Sequence, residues 1–129
     1  MSHAYERPFR PTELTASTAT SFYLPEMAQQ LTTEDAFQST GRNALTLARG
    51  SDLTVVLTVL KAQSVLHEHT APGPITVTVL SGRLEFSTAM QSEPLVLQTG
   101  AVAVCGAQAA HRVKALEDSA FLLVMGGRV

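Results

Sequence analysis

The sequence is poor in the residue types that mark several protein classes. It has one cysteine, Cys105, no tryptophan and only 16% charged residues. A single cysteine excludes an intrachain disulfide, and we therefore expect a reducing compartment, the cytoplasm. No apolar run approaches the roughly 20 residues of a membrane-spanning helix. Residues 1–8 also lack the apolar segment that a secretory signal needs.

The balance of charge argues against polyanionic partners. Nine Lys and Arg residues stand against eleven Asp and Glu residues, which gives a net charge of −2 and a pI near 6.0. The basic residues are scattered along the chain and form no cluster. We therefore expect neither a nucleic acid nor a membrane as a partner.

The chain divides into a polar arm and one domain. Residues 1–20 are polar, contain two prolines and are predicted to form a flexible arm. Residues 21–129 are predicted to form a single domain, which suits a chain of 129 residues. From 44 to 125, about nine short β-prone segments alternate with turn signals, the pattern of an all-β barrel or sandwich.

A helical lead-in is predicted over residues 24–37, ahead of the strands. The pattern behind it is a set of apolar residues at the spacing i, i+3, i+4 and i+7, namely Leu24, Met27, Ala28 and Leu31. The sequence thus predicts an all-β fold decorated by a short N-terminal helical segment.

Two histidines stand one residue apart, just before a turn rich in proline and glycine. Side chains alternate between the faces of a regular strand, so His67 and His69 are expected on the same face. A third histidine, His111, begins a later strand segment and could join them. Three imidazoles suit Fe, Zn, Ni, Cu or Mn, and these histidines are therefore the candidate metal ligands.

Alternation also predicts the lining of a pocket beside these histidines. If His67 and His69 face inward, then an apolar set lines the interior with them: Val65, Ile75, Val77, Val79 and Val113. An apolar cup with a few nitrogens at one end is typical of sites for small molecules. We therefore expect a small organic molecule as the partner.

Two stretches of the chain resemble the sequence motifs of the cupin superfamily. The first motif corresponds to His67-x-His69 followed by Val79-Leu80-x-Gly82, and the second to Gly100 and Gly106-x-Gln108-x-x-His111. The likeness covers residues 44–125 and is greatest to small single-domain bacterial cupins (cupin type 2), mostly of uncharacterised function. It implies a jelly-roll β-barrel and, because small cupins commonly dimerise, a homodimer.

One departure from the motif concerns the metal. In metal-binding cupins an acidic residue, seven positions before the closing glycine, supplies a ligand in addition to the histidines. In this chain Ile75 stands at that position relative to Gly82. The resemblance therefore implies a site of three histidines without a carboxylate, a donor set with which cupin-fold thiol dioxygenases hold iron.

Two kinds of function remain open at this point. In the first, a divalent transition metal on the three histidines supports an oxygenase-type, lyase or isomerase reaction of a small molecule. In the second, the chain is a non-catalytic ligand-binding or structural cupin whose metal site is degenerate. The replacement of the acid by Ile75 favours the second.

Overall fold

The computed structural model describes residues 3–127, apart from the side chains of Glu68 and His69. The remaining residues of the predicted arm and domain, 1–2 and 128–129, lie outside this description. The helices are α1 (Leu24–Thr33) and α2 (Asp35–Thr40). The strands are β1 (Thr12–Glu13), β2 (Arg42–Arg49), β3 (Leu53–Leu60), β4 (Val65–His69), β5 (Ile75–Ser81), β6 (Arg83–Thr88), β7 (Leu95–Gln98), β8 (Val102–Cys105), β9 (His111–Ala115) and β10 (Ser119–Gly126).

The strands form two sheets. One sheet has six strands in the order β1-β2-β3-β10-β5-β8, and the other has four in the order β4-β9-β6-β7. All paired neighbours are antiparallel except β1 and β2, which are parallel. Within residues 3–127 no strand pairing joins the two sheets, so the predicted jelly roll is present as two sheets that are not closed into a barrel.

The interior core lies between the two sheets. Strand β5 shows why: Ile75, Val77 and Val79 are each at most 2% exposed, whereas Thr76 and Thr78 are half-buried on the other face. This alternation is the strand period of two. The same cluster receives side chains from both sheets, among them Leu60, Leu84, Phe86, Val113, Ala115 and Phe121.

A second apolar cluster covers the opposite face of the six-stranded sheet. Helix α1 contributes Met27, Ala28 and Leu31 at helical spacing, and these pack with residues of β2 and β3 such as Leu45 and Leu57. Within the described residues, neither α1 nor α2 is long and apolar enough to cross a membrane. The helices occupy the place of the predicted lead-in over 24–37.

Part of the N-terminal segment, predicted as a flexible arm, lies against the domain. Tyr5 is 5% exposed, and its hydroxyl donates a hydrogen bond of 2.8 Å to Oε2 of Glu34. Arg7 Nη2 lies 2.9 Å from Oε1 of the same carboxylate. Further along, β1 pairs with Ala48 and Arg49 of β2. Aromatic burial and one shared carboxylate therefore hold this polar stretch in place.

Candidate functional site

The register between β4 and β9 places the candidate histidines. Leu66 pairs with Val113, but the next recorded pair is His69 with His111, which shifts the register by one residue. Such a bulge places two residues of β4 opposite one residue of β9 and breaks the alternation of faces. The expectation that His67 and His69 share a face assumed a regular strand. The bulge between Leu66 and His69 removes that assumption.

His111 is the best-defined member of the three histidines. It begins β9, is 3% exposed, and stacks on Phe86 with ring centroids 5.7 Å apart and planes inclined by 15°. Its Nδ1 lies 3.1 Å from the carbonyl oxygen of Ala109. Because a carbonyl can only accept, Nδ1 carries the hydrogen and the lone pair of the neutral ring lies on Nε2. This orientation by a backbone carbonyl is typical of metal-binding histidines.

The other two predicted ligands lie on β4. The backbone of His69 is next to His111 across the two strands, and the side chain of His67 is exposed. Among the side chains that the structure describes, no group of three His, Cys, Asp or Glu residues is placed to hold a metal ion. The side chain of His69 lies outside that set, so the three-histidine site stays a prediction.

The predicted pocket lining corresponds largely to the interior core. Four of the residues, Ile75, Val77, Val79 and Val113, are each at most 2% exposed. Phe86 belongs to the same cluster and also contacts the His111 ring. The histidine therefore rests on this apolar cluster, and the role of these residues in holding a ligand stays a prediction.

Strand β4 contributes Leu66 to that interior cluster. The predicted lining residue Val65 is half-buried and pairs with Lys114 of β9. Neighbouring residues of a strand point to opposite faces, so Val65 lies on the other face from Leu66.

Phe86 is the site residue that our sequence analysis missed. The available signal was alternation in β6, where Leu84 and Phe86 are buried and the residue between them is half-buried. That residue, Glu85, pairs with Lys114 of β9 on the face away from the interior. Glu85 is therefore no substitute for the carboxylate that the first motif lacks.

The two motif regions meet through their loops. Gln108 adopts a positive φ of 66°, and its N–H donates a hydrogen bond of 2.9 Å to the carbonyl of Ala71. Ala71 follows β4 by two residues, and Ala109, the acceptor for His111, follows Gln108 directly. This backbone contact therefore joins the loop after His69 to the loop before His111.

Comparison with known proteins gives matches in structure only. No protein-family model matches the chain, and no curated protein matches it in sequence. A conserved protein of unknown function from Streptococcus pyogenes is 25% identical, with a TM-score of 0.64 over 74% of this chain and 87% of that one. A cupin superfamily protein from Desulfitobacterium hafniense is 14% identical, with a TM-score of 0.64 over 67% and 78%.

A third solved structure is a cupin 2 conserved barrel domain protein from Leptotrichia buccalis. It is 25% identical to this chain, with a TM-score of 0.63 over 69% of this chain and 42% of that one. Each of these likenesses covers about two thirds to three quarters of this chain. The chain therefore has the fold of the cupin proteins among these solved structures.

Proposed function

We propose that this cupin binds a divalent transition metal through His67, His69 and His111 at one end of its apolar interior. The supporting observation is the pairing of His69 with His111, whose ring is oriented by the Ala109 carbonyl so that Nε2 carries the lone pair. When bound, the metal supplies Lewis-acid or redox chemistry to a small organic substrate, for an oxygenase-type, lyase or isomerase reaction.

The donor set decides which metals fit the proposal. Three neutral imidazoles without a carboxylate suit Zn, Cu, Ni or Fe better than Mn, which prefers oxygen ligands. Ile75, at the motif position of the missing acid, is 2% exposed within an apolar cluster. The same observation supports the second candidate, a non-catalytic module that binds a small apolar ligand without metal.

Single substitutions of the histidines test the proposal. In untagged protein loaded with each metal in turn, His111→Ala and His69→Ala are expected to reduce metal content to below about a tenth of the wild-type value. His3→Ala is the matched control, because His3 is exposed in the N-terminal segment. Elemental mass spectrometry measures the content, and circular dichroism checks that each variant is folded.

Two results would contradict metal binding at this site. One is wild-type protein that takes up none of the five metals, and the other is full metal content in both histidine variants. A thermal shift caused by small apolar ligands, independent of metal and of chelator, would then support the non-catalytic candidate.

We further propose a homodimer formed through the outer face of β8. This strand ends the six-stranded sheet, and its Val102 and Val104 are 54% and 69% exposed. An edge strand with exposed apolar side chains is a site for pairing with another chain. A second copy fits this strand because its own β8 presents the same apolar surface.

Val104→Lys is expected to convert the dimer to a 13.7 kDa monomer, measured by size-exclusion chromatography with light scattering. Val96→Lys is the matched control, because Val96 is 55% exposed on β7, at the edge of the other sheet. A Val104→Lys variant that remains dimeric, or a wild-type monomer, would overturn the proposed interface.

We also propose that the protein functions in the cytoplasm. Cys105 is its one cysteine, so the fold depends on packing rather than on an intrachain disulfide. Partial burial raises the pKa of the Cys105 thiol, which favours the protonated, unreactive form. A reducing compartment suits such a chain.

A further inference from the structure

A cavity lies outside the space between the sheets, under helix α1. It has a volume of about 300 Å³, at the lower end of the range for small-molecule pockets. Its walls are mostly apolar and come from both helices and from the outer face of the six-stranded sheet, including Leu24, Ala28, Phe37, Val59, Leu80 and Ala120.

The cavity exists because small side chains face one another across the helix–sheet interface. Ala28 of α1 lies in one wall, and Ser81 and Ala120 lie in the other. The pairing of β10 with β5 shifts register between Ala120 and Phe121, which is a bulge at this point. A helix packed over alanine and serine at an irregular sheet leaves space that larger side chains would fill.

This cavity is separate from the histidine site. Leu80 and Ala120 face it, while their neighbours Val79 and Phe121 belong to the interior cluster between the sheets. Leu80 and Ala120 belong to the apolar cluster under the helices, whereas Val79 and Phe121 belong to the cluster between the sheets, so the sheet itself separates the two spaces.

One carboxylate sets the electrostatic character of the cavity. Among the described residues that line it, Asp118 is the only ionisable one, and its Oδ1 accepts a hydrogen bond of 2.8 Å from the N–H of Ala62. Lys61, near the same end, has its ammonium 5.5 Å from the centroid of the Phe37 ring. The neighbouring Glu117 carboxylate lies 3.7 Å from Arg83. The ionisable group that the described lining offers to a bound molecule is therefore the exposed carboxylate of Asp118, while the Lys61 ammonium lies against the ring of the lining residue Phe37.

We infer that this cavity binds a small organic cation, an amine with an apolar body. The apolar walls bury the hydrocarbon part, and the Asp118 carboxylate receives the ammonium group at the cavity's end. Burial of the apolar part supplies most of the affinity, and the partly solvated ion pair supplies the preference for a cation.

Three ligands of equal chain length test the inference, namely n-octylammonium, n-octanol and n-octanoate. By titration calorimetry, wild-type protein is expected to bind octylammonium about fivefold more tightly than octanol, and octanoate least. Asp118→Asn is expected to abolish this preference and keep octanol binding, because the asparagine Oδ1 can still accept from Ala62. Ala28→Leu is expected to weaken binding of all three ligands by about tenfold, because it fills the cavity.

The control for cavity filling is Ala36→Leu, an exposed alanine of α2, which is expected to leave binding unchanged. If Ala28→Leu does not fold, Thr32→Leu on the same wall replaces it. Absence of octylammonium binding by the wild type, an unchanged cation preference in Asp118→Asn, or unchanged affinity in the folded cavity-filled variant would each overturn the inference. Octylammonium binding is also expected to persist in His111→Ala. Failure of the metal proposal can therefore be distinguished from failure of this inference.

Discussion

Gly82→Ala is expected to destabilise the protein by about 3 kcal/mol, from backbone strain and overlap together. Gly82 connects β5 to β6 with a φ of +85°, a conformation that costs energy for any residue with a Cβ. A Cβ there would also overlap the hydroxyl of Ser119 and the carbonyl oxygen of Asp118, and would lie 2.8 Å from the Cα of Ser119. Ser119 has little freedom to retreat, because it is buried and its hydroxyl lies 3.0 Å from the N–H of Arg83.

Alanine substitutions at two other glycines are controls that separate the cost of backbone strain from the cost of steric overlap. Gly100 has a φ of +91° with no atom within 4 Å of an added Cβ, so Gly100→Ala is expected to cost only about 1 kcal/mol. Gly106 has open space and no positive φ, so Gly106→Ala is expected to change stability by less than about 0.5 kcal/mol. Urea unfolding gives the three free energies. A Gly82→Ala variant no less stable than Gly100→Ala would show that the overlap is relieved by movement.

Glu34→Ala is expected to lower the free energy of unfolding by about 2–3 kcal/mol. The carboxylate accepts hydrogen bonds from the hydroxyl of Tyr5 at 2.8 Å, from Asn43 Nδ2 at 2.8 Å and from Arg7 at 2.9 Å. Most of the expected loss comes from Tyr5 and Asn43, which would be left without this acceptor in partly buried surroundings. The half-exposed Arg7 ion pair contributes little, because water screens it.

The control for this loss is Glu26→Ala. Glu26 lies exposed in the first turn of α1, where a negative charge has a small favourable interaction with the helix dipole. We expect it to cost less than about 0.5 kcal/mol. Similar losses for the two glutamate variants, measured by urea unfolding, would show that the N-terminal segment is not held by Glu34.

The stability contributed by Glu34 is also expected to depend on pH. Partial burial by itself raises the pKa of Glu34, but the hydrogen bonds from Arg7, Asn43 and Tyr5 outweigh burial, so its pKa lies below the ordinary value. When the pKa of a carboxyl is lower in the folded than in the unfolded protein, its contribution to the stability of the fold is fully present at pH values above the unfolded pKa, about 4.3 for Glu. That contribution is lost as the pH falls through the pKa that Glu34 has in the folded protein. Glu34→Gln is therefore expected to reduce the acid-side loss of stability, measured as the urea midpoint at a series of pH values.

Local pattern alone was enough to predict most of the secondary structure. The nine predicted strands correspond to β2–β10, and the apolar spacing from Leu24 to Leu31 corresponds to α1. The inner face of β5 was also predictable, because Ile75, Val77 and Val79 alternate with threonines over a regular strand. These properties depend on the side-chain periods of 2 residues in strands and 3.6 residues in helices, which can be recognised from residues close together in the sequence.

The site depended more on contacts between distant residues. The bulge in β4 arises from its pairing with β9, so nothing in the order His67-Glu68-His69 reveals it. The Phe86 ring reaches His111 only because β6 and β9 are neighbours in the four-stranded sheet. Register and neighbour order are set by the partner strand, and a single strand's sequence leaves them open.

The sequence by itself determined the all-β class, the helical lead-in, the position of the cupin-like histidines and the loss of the acid at Ile75. Tertiary structure decided that Leu66 rather than Val65 faces the interior, and that Tyr5 is fixed to Glu34. It also decided that α1 leaves a cavity next to Asp118. All three features depend on contacts between residues far apart in the chain. Periodicity in the sequence shows only which face of a helix or strand is apolar, and not what that face packs against.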